Sequence, residues 1–310
     1  MAILKWTKDA EIIDGVSARD FAVERDGHTI PGVLWQPAAP AGRQPLILMG
    51  HGGSGHKRNA RMNMLGKLFA GEYGWNAAAI DGPVHGDRGP VSDAGHPAYR
   101  EMWQRPDVVE QMSADWRATL DALTGLETVD GKRVGYWGVS MGTMFGLPFV
   151  AGEARVRVAV LGKAGMSGSS VLRSGVDVHF RKHAPQVRMP VLFSMQWDDE
   201  RFERAGQLAL YDALGAADKR LHAYPGQHVD NGPEALPQSG NRWLYGRAGL
   251  AAALGALRAD GVLAVWSAGP DRAFSKRLRA VGFEVEEMDV CARGYRRGMS
   301  HTLWFARRIS

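Results

Sequence analysis

A Gly-x-Ser-x-Gly pattern lies near the middle of the chain, with Gly138, Ser140 and Gly142 at its fixed positions. Residues 134–138 before the serine are typical of a buried strand, and residues 141–152 after it are typical of a helix. A sharp strand-to-helix turn holds a serine hydroxyl exposed, and the helix N-terminus there stabilises negative charge. The pattern alone arises by chance in a chain with 39 glycines, but this context predicts that Ser140 is a nucleophile.

A serine hydroxyl needs a base that takes its proton, and the base needs an acid that fixes its tautomer. His228 follows the last predicted core strand and is predicted to be the base, whereas His222 falls within that strand and is expected to be packed. Three consecutive acidic residues, 198–200, follow the preceding strand. Because these residues are consecutive, we favour Asp199 as the acid and keep Asp198 as the alternative. An aspartate at this place could also serve only as a helix cap.

Cleavage of an acyl bond also needs N–H donors for the oxyanion of the tetrahedral intermediate. The amide of Met141 directly follows the nucleophile, and the amide of Gly53 belongs to the glycine-rich segment 51–58 after an earlier strand. We predict that these two amides form the oxyanion hole. The segment lacks the spacing of a phosphate-binding P-loop, which argues against nucleotide chemistry.

Several residues beside these groups are candidates for a substrate pocket. They are His85, Arg88, Met144, Phe145 and Trp197, with segments 99–106 and 166–186 as further candidates for the walls. Lys57, Arg58 and Arg88 could bind an acidic ester such as a monoester of a dicarboxylic acid, but we favour a role in surface solubility. We expect no metal ion at the site.

Strands and helices alternate along the chain, which predicts an α/β fold with a mostly parallel central sheet and helices on both faces. The predicted strands are 45–50, 75–81, 134–138, 156–162, 190–196 and 219–225, and the predicted helices include 57–72, 106–124 and 202–215. An Asp-Gly pair at 26–27 predicts a hairpin between segments 19–25 and 29–35. Ligands of such sheets bind at the carboxyl ends of the strands, where the polar loops of this chain lie.

The net charge of +5 at pH 7 is concentrated near the C-terminus, where residues 247–310 hold 11 Lys and Arg against 6 Asp and Glu. Arginine pairs at 296–297 and 307–308 do not make a dense basic stripe, so we expect no nucleic-acid binding. No apolar run is long enough for a signal peptide or a membrane span, and the single cysteine, Cys291, could not form an internal disulfide. These features predict a cytoplasmic protein without membrane partners.

Residues 15–246 resemble an α/β-hydrolase of the dienelactone-hydrolase-like, serine-esterase kind. The resemblance is carried by HGGSG at 51–55, DGPVHGDR at 81–88, GVSMG at 138–142, QWDDE at 196–200 and GQH at 226–228. It implies the α/β-hydrolase fold and ester hydrolysis by a serine, an acid and a histidine in that order, without a cofactor. Dienelactone hydrolases themselves use a cysteine nucleophile, so Ser140 favours ordinary ester hydrolysis.

The last sixty residues resemble the C-terminal part of a spermidine-synthase-like class I methyltransferase. Residues 257–290 have a strand–helix–strand pattern, and residues 300–308 predict a further strand. The glycine-rich cofactor loop of that family is absent, so we expect no binding of S-adenosylmethionine. We predict a catalytic domain at 1–248 and a β-α-β appendage at 249–310 that serves as a lid, an edge cover or a homodimer contact.

These features together predict a serine carboxylesterase that hydrolyses small to medium carboxylic esters through an acyl-enzyme intermediate. Its expected partner is the small-molecule ester itself. Two other functions stay open. A serine peptidase or acyl-aminoacyl hydrolase would share every catalytic residue, and a non-catalytic binding protein would act through the appendage.

Overall fold

Ten strands form one mixed sheet in the N-terminal part of the chain. The computed structural model describes residues 3–230, 245–267, 272–291 and 300–309. The strands of this sheet are β1 (Leu4–Trp6), β2 (Glu11–Ile13), β3 (Val16–Arg25), β4 (His28–Pro37), β5 (Gln44–Gly50), β6 (Asn76–Ile80), β7 (Val129–Gly138), β8 (Val156–Gly162), β9 (Val191–Gln196) and β10 (Lys219–Tyr224). Their order is β1-β3-β4-β6-β5-β7-β8-β9-β10, with β2 paired to β3.

Strands β5 to β10 are parallel, while β1 to β4 add an antiparallel extension through the pairing of β4 with β6. The predicted mostly parallel sheet is therefore confirmed. The predicted hairpin is also present. Strands β3 and β4 are antiparallel, their first pair is Arg25 with His28, and Asp26 and Gly27 form the turn between them. Both turn residues have positive φ, 49° and 77°, as a two-residue type I′ turn requires.

Seven helices of this part of the chain connect the strands. They are α1 (Ala60–Lys67, extended by a π-helical turn at Leu68–Glu72), α2 (Pro97–Gln104), α3 (Val108–Thr124), α4 (Met141–Ala151), α5 (Ser169–Ser174), α6 (Asp177–His183) and α7 (Arg204–Ala213). Alternate residues of β5 point to opposite faces of the sheet. Leu46 and Leu48 belong to the core that α3 and α4 cover, while Ile47 and Met49 belong to the core that α1 covers. Helices thus cover both faces, as predicted.

The C-terminal part has its own small core. Its elements are α8 (Arg247–Ala256), β11 (Val262–Ser267), α9 (Arg272–Val281), β12 (Phe283–Cys291) and β13 (Ser300–Arg308). The predicted strand–helix–strand and the further strand are present, but β11 and β12 do not pair with each other. Strand β13 lies between them and is antiparallel to both, so this part is a three-stranded antiparallel sheet rather than a plain β-α-β unit.

Two compact units divide the chain, Met1–His228 and Val229–Ser310. The predicted boundary at 248–249 falls inside α8. The whole of α8 belongs to the second unit because Leu250 packs with Phe274 and Leu278 of α9 in the C-terminal core. Within the described ranges, no helix has both the length and the hydropathy needed to cross a membrane.

Candidate active site

Ser140 lies on a strained turn between β7 and α4. Its φ of 57° and ψ of −124° belong to a backbone region that residues other than glycine rarely adopt. The turn is fixed by its neighbours, since the Ser140 N–H donates to the carbonyl of Gly162 at 2.9 Å. The Thr143 hydroxyl lies 2.8 Å from the carbonyl of Gly138 and 2.7 Å from that of Gly162, so it ties the turn to the end of β8.

The two glycines of the elbow are required by close packing of the backbone. A Cβ at Gly138 would lie 2.6 Å from the carbonyl oxygen of Gly142, and a Cβ at Gly142 would collide with the backbone of Gly50. Strand β5, the turn and the first turn of α4 therefore approach each other more closely than any side chain allows. This approach leaves the Ser140 side chain partly exposed above the sheet.

The structure brings Ser140, His228 and Asp199 together in a chain of two hydrogen bonds. Ser140 Oγ lies 2.8 Å from His228 Nε2, and His228 Nδ1 lies 2.8 Å from Asp199 Oδ2. A carboxylate can only accept, so Nδ1 carries the proton and Nε2 is left to accept the proton of the serine hydroxyl. The imidazole therefore has the tautomer that a general base requires.

Asp199, rather than Asp198, is placed beside His228. Its second oxygen, Oδ1, accepts from the amides of Arg201 at 2.8 Å and Phe202 at 2.9 Å. Burial opposes ionisation of Asp199, but the hydrogen bond and charge of His228 and these two amides outweigh it, so the pKa of Asp199 lies below its usual value. Its ionised form contributes stability at neutral pH that is lost as the pH falls through the lowered pKa. Asp198 is exposed and pairs with Arg204 at 3.3 Å.

Two charged side chains hold the backbone of His228, and the sequence analysis missed both roles. Glu200 Oε2 accepts from the His228 amide at 2.8 Å, and Lys163 Nζ donates to the His228 carbonyl at 3.1 Å. Lys163 is 7% exposed and has a φ of 47°, and its own amide donates to Ser194 at 2.8 Å. A buried lysine in the left-handed region directly after β8 therefore contacts the backbone of His228, while Asp199 contacts its ring. Its position at the carboxyl end of a strand was the available signal.

Replacing Lys163 with methionine should lower kcat about tenfold or more with little change in KM, since a hydrogen bond to a charged group contributes about 1.5–3 kcal/mol. Methionine keeps most of the volume but loses the donor to the His228 carbonyl. Arginine at position 163 should restore part of kcat. Steady-state kinetics with thermal unfolding of each variant measures both effects, and Lys182→Met on the exposed side of α6 is the matched control. An equal loss in the control, or a change in KM alone, would contradict this role.

The two predicted oxyanion donors belong to different segments, Met141 to the first turn of α4 and Gly53 to the loop after β5. Within the described residues, neither the amide of Met141 nor the amide of Gly53 donates a hydrogen bond, so both are available for an oxyanion. Gly53 is closely packed, because a Cβ there would lie 2.7 Å from the hydroxyl of Tyr99. The assignment of Met141 and Gly53 as the oxyanion hole stays a prediction.

Two buried histidines, His51 and His85, contact backbone groups of the loop that contains Gly53. His51 Nε2 accepts from the Gly82 amide at 2.9 Å and Nδ1 donates to the Gly52 carbonyl at 2.8 Å, so both ring nitrogens are used. Burial, with the charge of His85, lowers the pKa of His51 to about 4, so the ring is neutral at pH 7.

His85 is fully buried, with Nδ1 2.7 Å from the Pro83 carbonyl and Nε2 3.1 Å from the Gly53 carbonyl. Burial also lowers the pKa of His85. His85 therefore contacts the loop rather than an open pocket.

The cations that sequence analysis considered for an acidic ester are bound to carboxylates of the protein. Lys57 is buried, 2.6 Å from Asp81 and 2.7 Å from Asp87, which contradicts the expected role in surface solubility. Arg88 lies 2.8 Å from the buried carboxylate of Asp115. Arg58 likewise lies 2.6 Å from the buried carboxylate of Asp20. Each of these three cations is therefore engaged by a buried carboxylate of the protein.

The remaining pocket candidates lie in three different surroundings. Phe145 is buried and stacks on Trp103 with 4.8 Å between ring centroids. Trp197 is 44% exposed beside the acid, and the guanidinium of Arg204 lies 4.1 Å from its ring centroid. Met144 lines a cavity of about 60 Å³ together with Tyr99 and Trp103.

Solved structures of esterases have this arrangement of strands and helices. A cold-adapted esterase from an Arctic intertidal metagenomic library, solved with bound PEG, is 39% identical, with 73% of this chain and 91% of that chain covered and a TM-score of 0.64. An acetyl xylan esterase from Paenibacillus sp. R4 is 20% identical, with 76% and 84% covered and a TM-score of 0.57, which indicates a shared fold. No protein-family model matches the sequence, and no curated protein matches it.

Proposed function

This chain belongs to the α/β-hydrolase-type esterases, the family of the cold-adapted Arctic esterase, and on that premise we propose that it is a serine carboxylesterase. Its substrates are small to medium carboxylic esters, and the reaction proceeds through an acyl-enzyme on Ser140. The observation that carries the proposal is the chain of two 2.8 Å hydrogen bonds from Ser140 through His228 to Asp199.

The first half of the reaction follows from this geometry. His228 Nε2 takes the hydroxyl proton as Ser140 Oγ attacks the carbonyl carbon of the ester. The negative charge that develops on the carbonyl oxygen is stabilised by the amides of Met141 and Gly53. His228 then gives its proton to the alkoxide, so the alcohol leaves and the acyl group stays on Ser140.

Water completes the reaction with the same groups. His228 Nε2 takes a proton from a water molecule, which attacks the acyl carbon on the face that the alcohol has left. Collapse of the second tetrahedral intermediate returns the proton to Ser140 Oγ and releases the carboxylic acid. Throughout, Asp199 keeps the imidazole in one orientation and stabilises its cationic form.

Short-chain p-nitrophenyl esters, acetate and butyrate, should be hydrolysed, while peptide p-nitroanilides should be cleaved at least about a hundredfold more slowly. An ester carbonyl is more electrophilic and has a better leaving group than an amide. Release of p-nitrophenol and p-nitroaniline under identical conditions measures both activities. Equal or faster cleavage of the anilides would favour the peptidase alternative, and no reaction with either class would favour a non-catalytic protein.

For the C-terminal unit we propose a structural role. The support is its small separate core, built from Leu250, Phe274, Leu278, Phe283 and Trp304. The resemblance of this unit to a methyltransferase, its lack of a cofactor, its part in a homodimer and the cytoplasmic location of the protein all stay predictions.

A further inference from the structure

We propose that the esters this site prefers carry a second, ionised carboxylate on a short acyl chain, and that Arg100 and Arg173 bind it. Monoesters of short dicarboxylic acids are the class that fits. This inference rests on the proposed serine-esterase function and adds to it the chemical class of the substrate.

The cavity that carries the inference is lined by residues of α2, of α5 and of the helix that follows Ser140. Met144, which lines it, is one helical turn after Ser140, and its amide donates to the Ser140 carbonyl at 3.0 Å. Tyr99, which also lines it, packs with its hydroxyl against Gly53. One side chain that lines the cavity thus belongs to the helix after Ser140, another contacts the loop of the predicted oxyanion hole, and we place the acyl part of the ester in this cavity.

The size of the cavity limits the acyl chain. Its volume of about 60 Å³ is small beside the cavity of about 580 Å³ elsewhere in this part of the chain, so a short acyl chain suits it better than a long one. The ring of Trp103 closes one side, fixed by its stacking on Phe145. We place a chain of two methylene groups in this space, with its terminal carboxylate beside Arg100 and Arg173.

The cavity carries positive charge in its lining. Arg100 and Arg173 line it together with Ser170 and Ser174, and the described residues that line it include no aspartate or glutamate. The Arg173 guanidinium donates to Ser170 Oγ at 3.3 Å, and within the described residues no hydrogen bond or ion pair of the Arg100 side chain is found. Two guanidinium groups free of carboxylates match the planar, bidentate geometry of a carboxylate ligand.

Arg100 and Arg173 differ in this respect from the cations that the sequence analysis considered for an acidic ester. Lys57, Arg58 and Arg88 each have a buried carboxylate partner, and the larger cavity of about 580 Å³ beside them contains the acids Asp20 and Asp87 as well as cations. Positive charge that no described lining residue neutralises is therefore the feature of this cavity that we expect to select an anionic substrate. Because both arginines are exposed, water and salt screen them, and the expected preference is about three- to tenfold rather than larger.

Hydrolysis of methyl hydrogen succinate and of methyl succinamate tests the inference, because the two esters have the same chain and differ in an ionised carboxylate against a neutral amide. The ratio of their kcat/KM values should be about three to ten for the wild type at low salt and should fall with added sodium chloride. Arg100→Gln and Arg173→Gln should each lower the ratio, and the double variant should bring it close to one. Arg181→Gln on the exposed side of α6 is the matched control and should keep the wild-type ratio.

The outcomes separate this inference from the proposed function. A wild type that hydrolyses p-nitrophenyl esters but has a ratio of one or less overturns the inference alone. A ratio that persists in the double variant, or that falls equally in the Arg181 control, also overturns it. Inertness toward every ester overturns the proposed function, and the inference with it.

Discussion

Replacing Ser140 with alanine should lower kcat for p-nitrophenyl acetate by a factor on the order of 10⁶, as loss of a triad serine does in other serine hydrolases. The variant keeps the fold and the oxyanion donors but has no atom that can attack the ester. Alanine tolerates the φ of 57° no better and no worse than serine does, so stability should change little. Release of p-nitrophenol from p-nitrophenyl acetate at high enzyme concentration measures the residual rate.

Ser17→Ala is the matched control for this variant. Ser17 lies on β3, paired with Gln36 of β4, in the antiparallel extension of the sheet. It should keep wild-type kcat and KM. A Ser140→Ala variant that retains more than about a thousandth of wild-type kcat would contradict the nucleophile role, because oxyanion stabilisation and binding alone give far less.

Replacing Asp199 with asparagine should lower kcat by about 10⁴, the size of effect expected when the acid can no longer fix the histidine tautomer. The amide oxygen can keep accepting from the amides of Arg201 and Phe202, so the loop keeps its shape. The amide nitrogen is a donor, however, and it would impose the tautomer in which His228 Nε2 carries a proton and cannot act as a base. Kinetics with p-nitrophenyl butyrate measures the loss, and circular dichroism verifies the fold.

Asp198→Asn is the matched control at the neighbouring position. Its side chain is exposed and contacts Arg204, so the variant should stay within about twofold of wild type. An inactive Asp198→Asn beside an active Asp199→Asn would show that the acid had been assigned to the wrong residue.

Ser140, His228 and Asp199 could be predicted from the sequence because each follows a predicted strand. Ser140 lies between two glycines that the backbone requires, and His228 follows a strand. The sequence left two candidates for the acid, since Asp198 and Asp199 follow the same strand. The structure also explains why the helix-cap alternative had force, because one oxygen of Asp199 accepts from backbone amides while the other contacts His228.

Features that depend on contacts between distant segments could not be predicted. Lys57 and Arg88 were expected to face solvent, but their carboxylate partners Asp81 and Asp115 lie 24 and 27 residues away along the chain. His222 was expected to be packed and is exposed, since β10 is the edge strand of the sheet among the described residues and pairs there with β9. Strand β13 was found from its pattern, but its insertion between β11 and β12 has no local signal.

The reactive serine can be identified directly by mass spectrometry after labelling with a fluorophosphonate. The protein is incubated with the probe, digested, and searched for the phosphonate adduct at every serine and tyrosine. The proposed mechanism predicts one stoichiometric adduct on Ser140, with no adduct in the Ser140→Ala variant. Stoichiometric labelling of another residue, or retained labelling in Ser140→Ala, would contradict the assignment of Ser140 as the nucleophile.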